Sequence, residues 1–221
     1  MILAIDTATR FISVALADEV GVVAESSWQS ANNHTTELAP MVERMLSQTQ
    51  PAPTLTAIAV AIGPGSFTGV RIGLGFAKGL ALARNVPLIG VRTFEIAARA
   101  LPQADGEAIA VVQAGRGRVI WARCSVRDGQ WEAADDGVVG RWADVVGAAT
   151  ETRQRIVVGE IDRVGYEVLQ GSRVRCASPT QNVRRAAHLA EIGWERLRRG
   201  ATDSAATLMP VYAHPPTSGT T

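Results

Sequence analysis

The sequence predicts an α/β protein of two lobes, each built in the order β-β-β-α-β-α-β-α. Short apolar segments typical of buried strands alternate with longer segments of helical periodicity, a pattern that indicates parallel strand pairing. Three strand-like segments open each half, which predicts an antiparallel ribbon joined to the parallel strands. Because this order recurs more faintly after the middle of the chain, we predict lobes at residues 1–101 and 102–213 and a loose tail at 214–221.

The first lobe carries the clearer signals. Asp18 and Gly21 provide a turn between its second and third strands. Asn32 and Asn33 offer helix caps before an apolar face with members three and four residues apart. The residues of that face are Leu38, Met41, Val42, Met45 and Leu46. The predicted strands are 2–5, 11–17, 22–28, 57–62 and 87–91, and the predicted helices are 35–49, 70–84 and 93–101.

The second lobe is predicted from weaker versions of the same patterns. Its last helix is the longest, and we expect Asn182 to cap it and Gly200 to end it. The predicted strands are 108–112, 119–126, 131–133, 156–158 and 174–177, and the other predicted helices are 142–149 and 164–169.

Composition restricts the class of protein. The chain has 221 residues, is 47% hydrophobic and 19% charged, and has a net charge of +1, which predicts no long-range attraction to nucleic acid or membrane. Its two cysteines form neither a disulfide framework nor a metal-binding spacing. No apolar run approaches the roughly 18 residues of a membrane span, and the segment before Asp6 is too short for a signal peptide. We therefore expect a cytoplasmic protein that does not bind a membrane.

The duplicated β3-αβαβα order is that of the actin, sugar-kinase and Hsp70 group (the ASKHA fold, with two RNase H-like lobes), an analogy that does not by itself give a function. In that group a phosphate-contacting hairpin follows the first strand, where this chain has Asp6, Thr7 and Thr9. A carboxylate there can hold Mg²⁺, and hydroxyl groups can contact phosphate. The alternative is that Asp6 only forms the turn.

The other candidate motifs lack required residues. Residues 63–69 precede a helix, but the Gly-Lys-Ser/Thr ending of a phosphate-binding loop and the elbow of a serine hydrolase are both absent, so we favour a shaped turn. His34 has no second histidine one turn away and predicts no metal site. Gln113 stands where a second acid is expected in a phosphotransferase, and an amide can neither act as a base nor carry negative charge to magnesium.

The helix at 70–84 is rich in small residues. Residues four apart share a helix face, which gives two rows: Gly69, Gly73, Ala77, Ala81 and Gly75, Gly79, Ala83. Each interior glycine costs about 1 kcal/mol relative to alanine. Two explanations stay open, close packing within this chain and a docking face for another protein.

Several of these segments together resemble the bacterial TsaB (YeaZ) family. The segments are 5–9, 34–40, 59–81, 87–91 and 210–212, of which the run from Gly63 to Gly73 is the most specific. The first lobe matches well and the second loosely. The family usually reads close to Asp-Ala-Arg-Arg-Gly-Glu-Val-Tyr at 113–120, where this chain reads Gln-Ala-Gly-Arg-Gly-Arg-Val-Ile and keeps only Ala114, Arg116, Gly117 and Val119.

The resemblance implies a non-catalytic paralogue of the transferase TsaD that serves tRNA threonylcarbamoyladenosine synthesis. Its implied partners are a TsaD-like catalytic subunit and a TsaE-like ATPase, with tRNA bound indirectly and a homodimer left open. The resemblance implies that the chain binds no cofactor of its own. It allows binding of ATP with Mg²⁺ only in the complex with the partners. The implied interface lies on helices 35–49 and 70–84: His34, Leu38, Met41, Val42, Met45, Gly69, Arg71, Gly73, Ala77 and Lys78.

Two rival functions remain at this point. The first is a nucleotide-dependent phosphotransferase or ATPase that uses Asp6. The second is a peptidase, for which the sequence offers no nucleophile and base pair. The chain shows no base-reading motif and no basic stripe, so we expect any direct contact with tRNA to be minor.

Overall fold

A computed structural model of the chain describes residues 1–31, 33–151 and 156–213. Asn32 and the predicted tail 214–221 lie outside these ranges. No helix within them is both long and apolar enough to cross a membrane. In chain order the elements are β1 (Ile2–Asp6), β2 (Phe11–Ala17), β3 (Val22–Gln29), α1 (His34–Gln48), β4 (Ala57–Gly63), α2 (Phe67–Arg84), β5 (Leu88–Arg92), α3 (Thr93–Ala98), β6 (Glu107–Gly115), β7 (Arg118–Arg127), β8 (Gln130–Ala133), β9 (Val138–Gly140), α4 (Trp142–Thr150), β10 (Ile156–Gly159), α5 (Arg163–Gly171), β11 (Arg175–Cys176) and α6 (Ala186–Arg198).

The chain forms two compact units, and their boundaries differ from the predicted lobes. The first unit combines Met1–Arg92 with Arg185–Pro210, and the second contains Thr93–Arg184 and the chain from Val211. Helix α3 therefore packs in the second unit and α6 in the first, the reverse of the predicted assignment. All six residues of α3 are buried against the second sheet, which explains why so short a helix is stable there.

The first unit is a five-stranded sheet in the order β3-β2-β1-β4-β5. Strands β1, β2 and β3 form the antiparallel ribbon, and β1, β4 and β5 are parallel, as the sequence predicts. Helices α1 and α2 bury their apolar faces in one core with Leu3, Ile5, Ile58 and Val60. Helix α6 packs against all five strands of this sheet. At Gly193 an added Cβ would lie 2.9 Å from the Ala59 Cβ.

Helix α6 begins at Ala186, and the prediction that Asn182 caps it is wrong. The first turn is capped by side chains of the ribbon, because the Ala186 N–H donates to Ser13 Oγ at 2.8 Å and the Ala187 N–H donates to Glu25 Oε1 at 2.9 Å. These acceptors lie more than 160 residues away in the chain, so no local pattern could indicate this start.

The second unit is a sheet in the order β11-β10-β6-β7-β8, with β9 paired to the beginning of β7. Helix α3 covers one face, and α4 and α5 cover the other. Strand β9 was not predicted, since its three residues are too few to show a period. Asn182 serves this unit: its Oδ1 accepts the Gly159 N–H at 3.1 Å and its Nδ2 donates to the Ala177 carbonyl at 3.1 Å.

Candidate functional site

The predicted nucleotide-contacting side chains at the end of β1 are buried. Asp6 is fully buried, and its Oδ1 accepts the Ala8 N–H at 2.9 Å. Thr7 donates its hydroxyl to the Gly69 carbonyl at 2.7 Å, and Thr9 Oγ1 accepts a backbone N–H two residues on at 3.1 Å. Each side chain therefore stabilises the hairpin or holds it to α2, which is the turn-forming alternative that the sequence left open.

The glycine-rich loop before α2 packs directly on this hairpin. The Ser66 N–H donates to the Ala8 carbonyl at 2.6 Å, and Ser66 Oγ accepts the Gly69 N–H at 3.2 Å as the cap of α2. A Cβ at Gly65 would lie 2.1 Å from the Ala8 carbonyl oxygen, so only glycine permits this approach. The N–H groups of Ser66 and Gly69 thus bond within the chain, an arrangement that favours a shaped turn over a phosphate cradle.

His34 joins α1 to the same hairpin. The residue is 5% exposed. Its Nε2 lies 2.8 Å from the Thr9 carbonyl oxygen, which can only accept, so Nε2 carries the proton. Within the described ranges, no group of three or more His, Cys, Asp or Glu side chains is arranged to hold a metal ion. The role of His34 here is to fix the first turn of α1.

The two rows of small residues on α2 have opposite surroundings. The row Gly69, Gly73, Ala77, Ala81 is buried, and a Cβ at Gly73 would lie 2.1 Å from Thr7 Oγ1. The row Gly75, Gly79, Ala83 is exposed, and a Cβ at either glycine would meet no atom within 4 Å. Close packing within the chain therefore explains the first row and leaves the second unexplained.

Most of the interface residues implied by the resemblance face this unit's own core. Met41 and Lys78 are half-buried, and Arg71 is exposed. The other seven pack in the core of this unit and expose little surface, so their place in an interface stays a prediction. These are His34, Leu38, Val42, Met45, Gly69, Gly73 and Ala77.

The accessible part of α1 and α2 contains an apolar groove of about 390 Å³ between the two helices. Its lining residues are Ala39, Val42, Glu43, Leu46, Ser47, Phe76, Leu80 and Arg84. Two large apolar side chains on α2 lie outside it, Leu82 at 72% and Phe67 at 56% exposure. The Arg71 guanidinium stacks over the Phe67 ring, 3.6 Å from its centroid, which orders the N-terminal end of this face.

A second groove, of about 490 Å³, lies between β3 and the other side of α1 and includes Trp28, Met41 and Arg44. The Trp28 indole N–H donates to Glu37 Oε2 at 2.8 Å. This hydrogen bond, followed by one from Ser30, lowers the pKa of the Glu37 carboxyl. Helix α1 is therefore fixed to the ribbon on one side, while the groove towards α2 stays open.

In the second unit, Gln113 has a structural role. Its backbone N–H donates to Glu160 Oε2 and its Nε2 donates to the Glu160 carbonyl, both at 2.9 Å. Arg184, whose side chain is 1% exposed, donates to Glu160 Oε1 at 2.8 Å. Sequence reasoning missed Glu160 and Arg184 because they lie 47 residues and more from Gln113. The amide and the guanidinium hold Glu160 in place at the carboxyl ends of β6 and β10.

Comparison with known proteins gives a consistent assignment. A family model described as TsaD: tRNA N6-adenosine threonylcarbamoyltransferase matches residues 13–169. The tRNA threonylcarbamoyladenosine biosynthesis protein TsaB of Escherichia coli (strain K12) is 43% identical over 124 residues, which are 55% of this chain and 53% of that protein. The corresponding TsaB of Bacillus subtilis (strain 168) is 37% identical over 132 residues, 59% of this chain and 58% of that protein. The chain thus spans slightly more than half the length of the curated relatives it matches.

A solved structure extends the likeness to nearly the whole chain. YeaZ from Pseudomonas aeruginosa superposes with a TM-score of 0.77 at 27% identity, covering 96% of this chain and 98% of that one. The ethanolamine utilization protein EutJ from Carboxydothermus hydrogenoformans, at 14% identity and a TM-score of 0.52 over 85% of this chain and 88% of its own, shares the fold alone. The predicted actin-like fold class and the resemblance carried by the glycine-rich motif are both confirmed.

Proposed function

The chain belongs to the TsaD family and, within it, to the TsaB (YeaZ) group, and from this premise we propose that it is a non-catalytic subunit in the formation of threonylcarbamoyladenosine on tRNA. In this proposal it binds and activates a TsaD-like catalytic subunit. A TsaE-like ATPase joins the complex, ATP with Mg²⁺ acts only in the complex, and the work is done in the cytoplasm.

The non-catalytic role is supported by the way the candidate chemical groups are used. Asp6, Thr7 and Thr9 are buried and bonded within the hairpin and to α2. Gln113 is a neutral amide that holds Glu160. These groups already stabilise the fold, which is why we rank an independent ATPase or phosphotransferase second.

The observation that carries the docking proposal is the bare side of α2, which we call the outer α2 face. It carries two glycines with open space beside them, two large exposed apolar side chains, and an arginine. An interface that is apolar at its centre and includes aromatic residues and arginine matches this composition. The outer α2 face consists of Phe67, Arg71, Gly75, Gly79, Leu82 and Ala83.

Glycine at these positions is best explained by close approach of a partner. Each exposed glycine in a helix interior lowers stability by about 1 kcal/mol relative to alanine. Glycine is not needed at positions 75 and 79 to prevent a clash within this chain, because a Cβ at either position would have no atom within 4 Å. If a helix of a partner packs on this row, the absence of Cβ atoms allows the two backbones to approach closely.

The test is co-purification of the chain with the TsaD-like protein of the same organism, followed by a threonylcarbamoyladenosine assay on tRNA. We expect a stable complex and a modification rate that depends on both proteins. Gly79→Leu places a side chain on the outer α2 face, so we expect it to abolish complex formation while its circular dichroism matches wild type and its melting temperature is not lowered.

The matched control is Gly147→Leu, which fills an equally open glycine position on α4 of the second unit and is expected to leave the complex intact. A complex that survives Gly79→Leu would show that the docking surface lies elsewhere. A homodimer that Gly79→Leu disrupts, with no binding to the TsaD-like protein, would assign the face to self-association. Hydrolysis of ATP–Mg²⁺ by the chain alone, lost in Asp6→Asn, would favour the rival enzymatic function.

A further inference from the structure

We propose that three arginines of the second unit, Arg116, Arg118 and Arg141, form a binding surface for the phosphodiester backbone of RNA, and we call them the arginine cluster. This deepens the proposed function, because it rests on tRNA being the substrate of the complex. All three side chains belong to exposed residues. They lie at the turn between β6 and β7 and just before α4.

The turn between β6 and β7 places an arginine where the backbone disfavours it. Arg116 and Gly117 form this two-residue turn with φ values of 55° and 69°, the left-handed pattern of type I′ hairpins, which prefers Asn-Gly or Asp-Gly. The next turn, between β7 and β8, uses Asp128 and Gly129 with φ values of 48° and 72°. The same chain therefore follows the preference at one hairpin and departs from it at the other.

The sheet register then brings a second and a third positive charge to the same place. Strand β9 pairs with β7 so that Gly140 is opposite Val119. Continued by one residue beyond this last pair, the same antiparallel register sets position 118 across from position 141, where Arg141 has an extended backbone with φ −113° and ψ 170°. Like charges opposite each other in a sheet are destabilising.

Arg141 also occupies the N-cap of α4, which is the helix end where the macrodipole disfavours a positive charge. Asp144 is the acid at this end of the helix, and its Oδ2 accepts the Arg141 N–H at 2.7 Å. The three arginines and Asp144 together carry a net charge of +2. In the described part of the chain, none of the three arginines forms an ion pair with an acid.

Three unfavourable local choices at one place indicate a function that outweighs them. The planar guanidinium group binds phosphate oxygens in a bidentate manner. The exposed residues of the turn are Gly115, Arg116, Gly117 and Arg118, with no apolar side chain among them. A protein partner would be expected to find an apolar centre, whereas a phosphate backbone needs only the arginines and an open approach, which the glycines provide.

This revises the expectation that direct contact with tRNA is minor. Arg116 and Arg118 lie more than 20 residues before Arg141 in the sequence, so no basic stripe is visible there. The pairing of β9 with β7, which the sequence did not predict, ends at Val119 and Gly140, the residues directly beside Arg118 and Arg141.

The experiment measures binding of an unmodified tRNA transcript to the full chain as a function of salt, first alone and then in complex with the TsaD-like protein. The variant is Arg116→Asn combined with Arg118→Gln and Arg141→Gln, in which Asn at 116 keeps the preferred turn residue while it removes the charge. We expect the dissociation constant to rise about tenfold or more, and the slope of log K against log salt to fall by about two to three, in line with three lost phosphate contacts.

The matched control removes three other exposed arginines of the same unit, with Arg127→Gln, Arg173→Asn and Arg175→Gln; Arg173 also has a left-handed backbone, with φ 56°. An equal loss of affinity in this control would overturn the proposal, because it would reduce the effect to net charge. An unchanged dissociation constant and slope in the cluster variant, or no binding of tRNA by wild type in either form, would also overturn it. The proposed function is tested separately, because co-purification measures complex formation with the TsaD-like protein in the absence of tRNA.

Discussion

The two rows of small residues on α2 have nearly the same composition and the same four-residue spacing, yet they have different functions in the fold. Gly73 has no Cβ because Thr7 occupies that space, with its hydroxyl 2.1 Å from where the Cβ would be. Gly79 has no Cβ although the space beside it is open. A glycine row therefore indicates close approach, and only its surroundings tell whether the approaching group belongs to the same chain.

The largest effect should follow from adding a methyl group to the buried row. Gly73→Ala forces its Cβ against the Thr7 hydroxyl, which is itself held by the Gly69 carbonyl. We expect the free energy of unfolding to fall by about 1–3 kcal/mol, the usual cost of overpacking, measured by urea denaturation. The control is Gly75→Ala on the same helix. Equal stability of these two variants would contradict the distinction between the rows.

A smaller effect should appear in the coupling between Gly73 and Thr7. Thr7→Ala alone loses the hydrogen bond to the Gly69 carbonyl, at a cost of about 1 kcal/mol. Because it also removes the atom that the new Cβ would strike, Gly73→Ala should cost about 1 kcal/mol less in this background. A double-mutant cycle by urea denaturation measures the difference, and strictly additive values would place the strain elsewhere.

The smallest effect, and one of opposite sign, is expected on the exposed row. Gly75→Ala and Gly79→Ala improve helix propensity without a clash, so each should raise the free energy of unfolding by about 0.5–1 kcal/mol. Gly147→Ala on α4, also in open space, is the matched control and should give a similar gain. A loss of stability confined to Gly75 and Gly79 would show that their row is already covered, for example by a second copy of the chain.

Much of the first unit could be predicted because its signals are local. The buried strands β1, β2 and β4 follow from short continuous apolar runs, and α1 follows from an apolar stripe with a period of 3.6 residues. Helix α2 was predicted three residues short at its start, where Ser66 proved to be the cap. Strand β9 and the start of α6 were missed, because the first is three residues long and the second is capped by Ser13 and Glu25 from the distant ribbon.

The fold could be predicted further than the candidate site, whose residues stay a prediction. Most of the residues singled out around α1 and α2 pack in the core of the first unit and expose little surface. The apolar stripe that identified Leu38, Val42 and Met45 is the same signal that places them in the core. The surface that remains available, around Gly75, Gly79 and Leu82, was present in the sequence as the second row but could not be distinguished from the first.

The sequence by itself determined the α/β class, the order of the elements apart from β9 and, through the glycine-rich run from Gly63 to Gly73, the family. The fold class, the element order and the family motif depend on residues that are close together in the sequence, so their spacing can be found from the sequence alone. Tertiary structure alone decided that α3 and α6 exchange units, that Asp6 and Thr7 are buried, and that β9 pairs with β7. Each of these depends on contacts between segments far apart in sequence, where burial and register, rather than period, set the outcome.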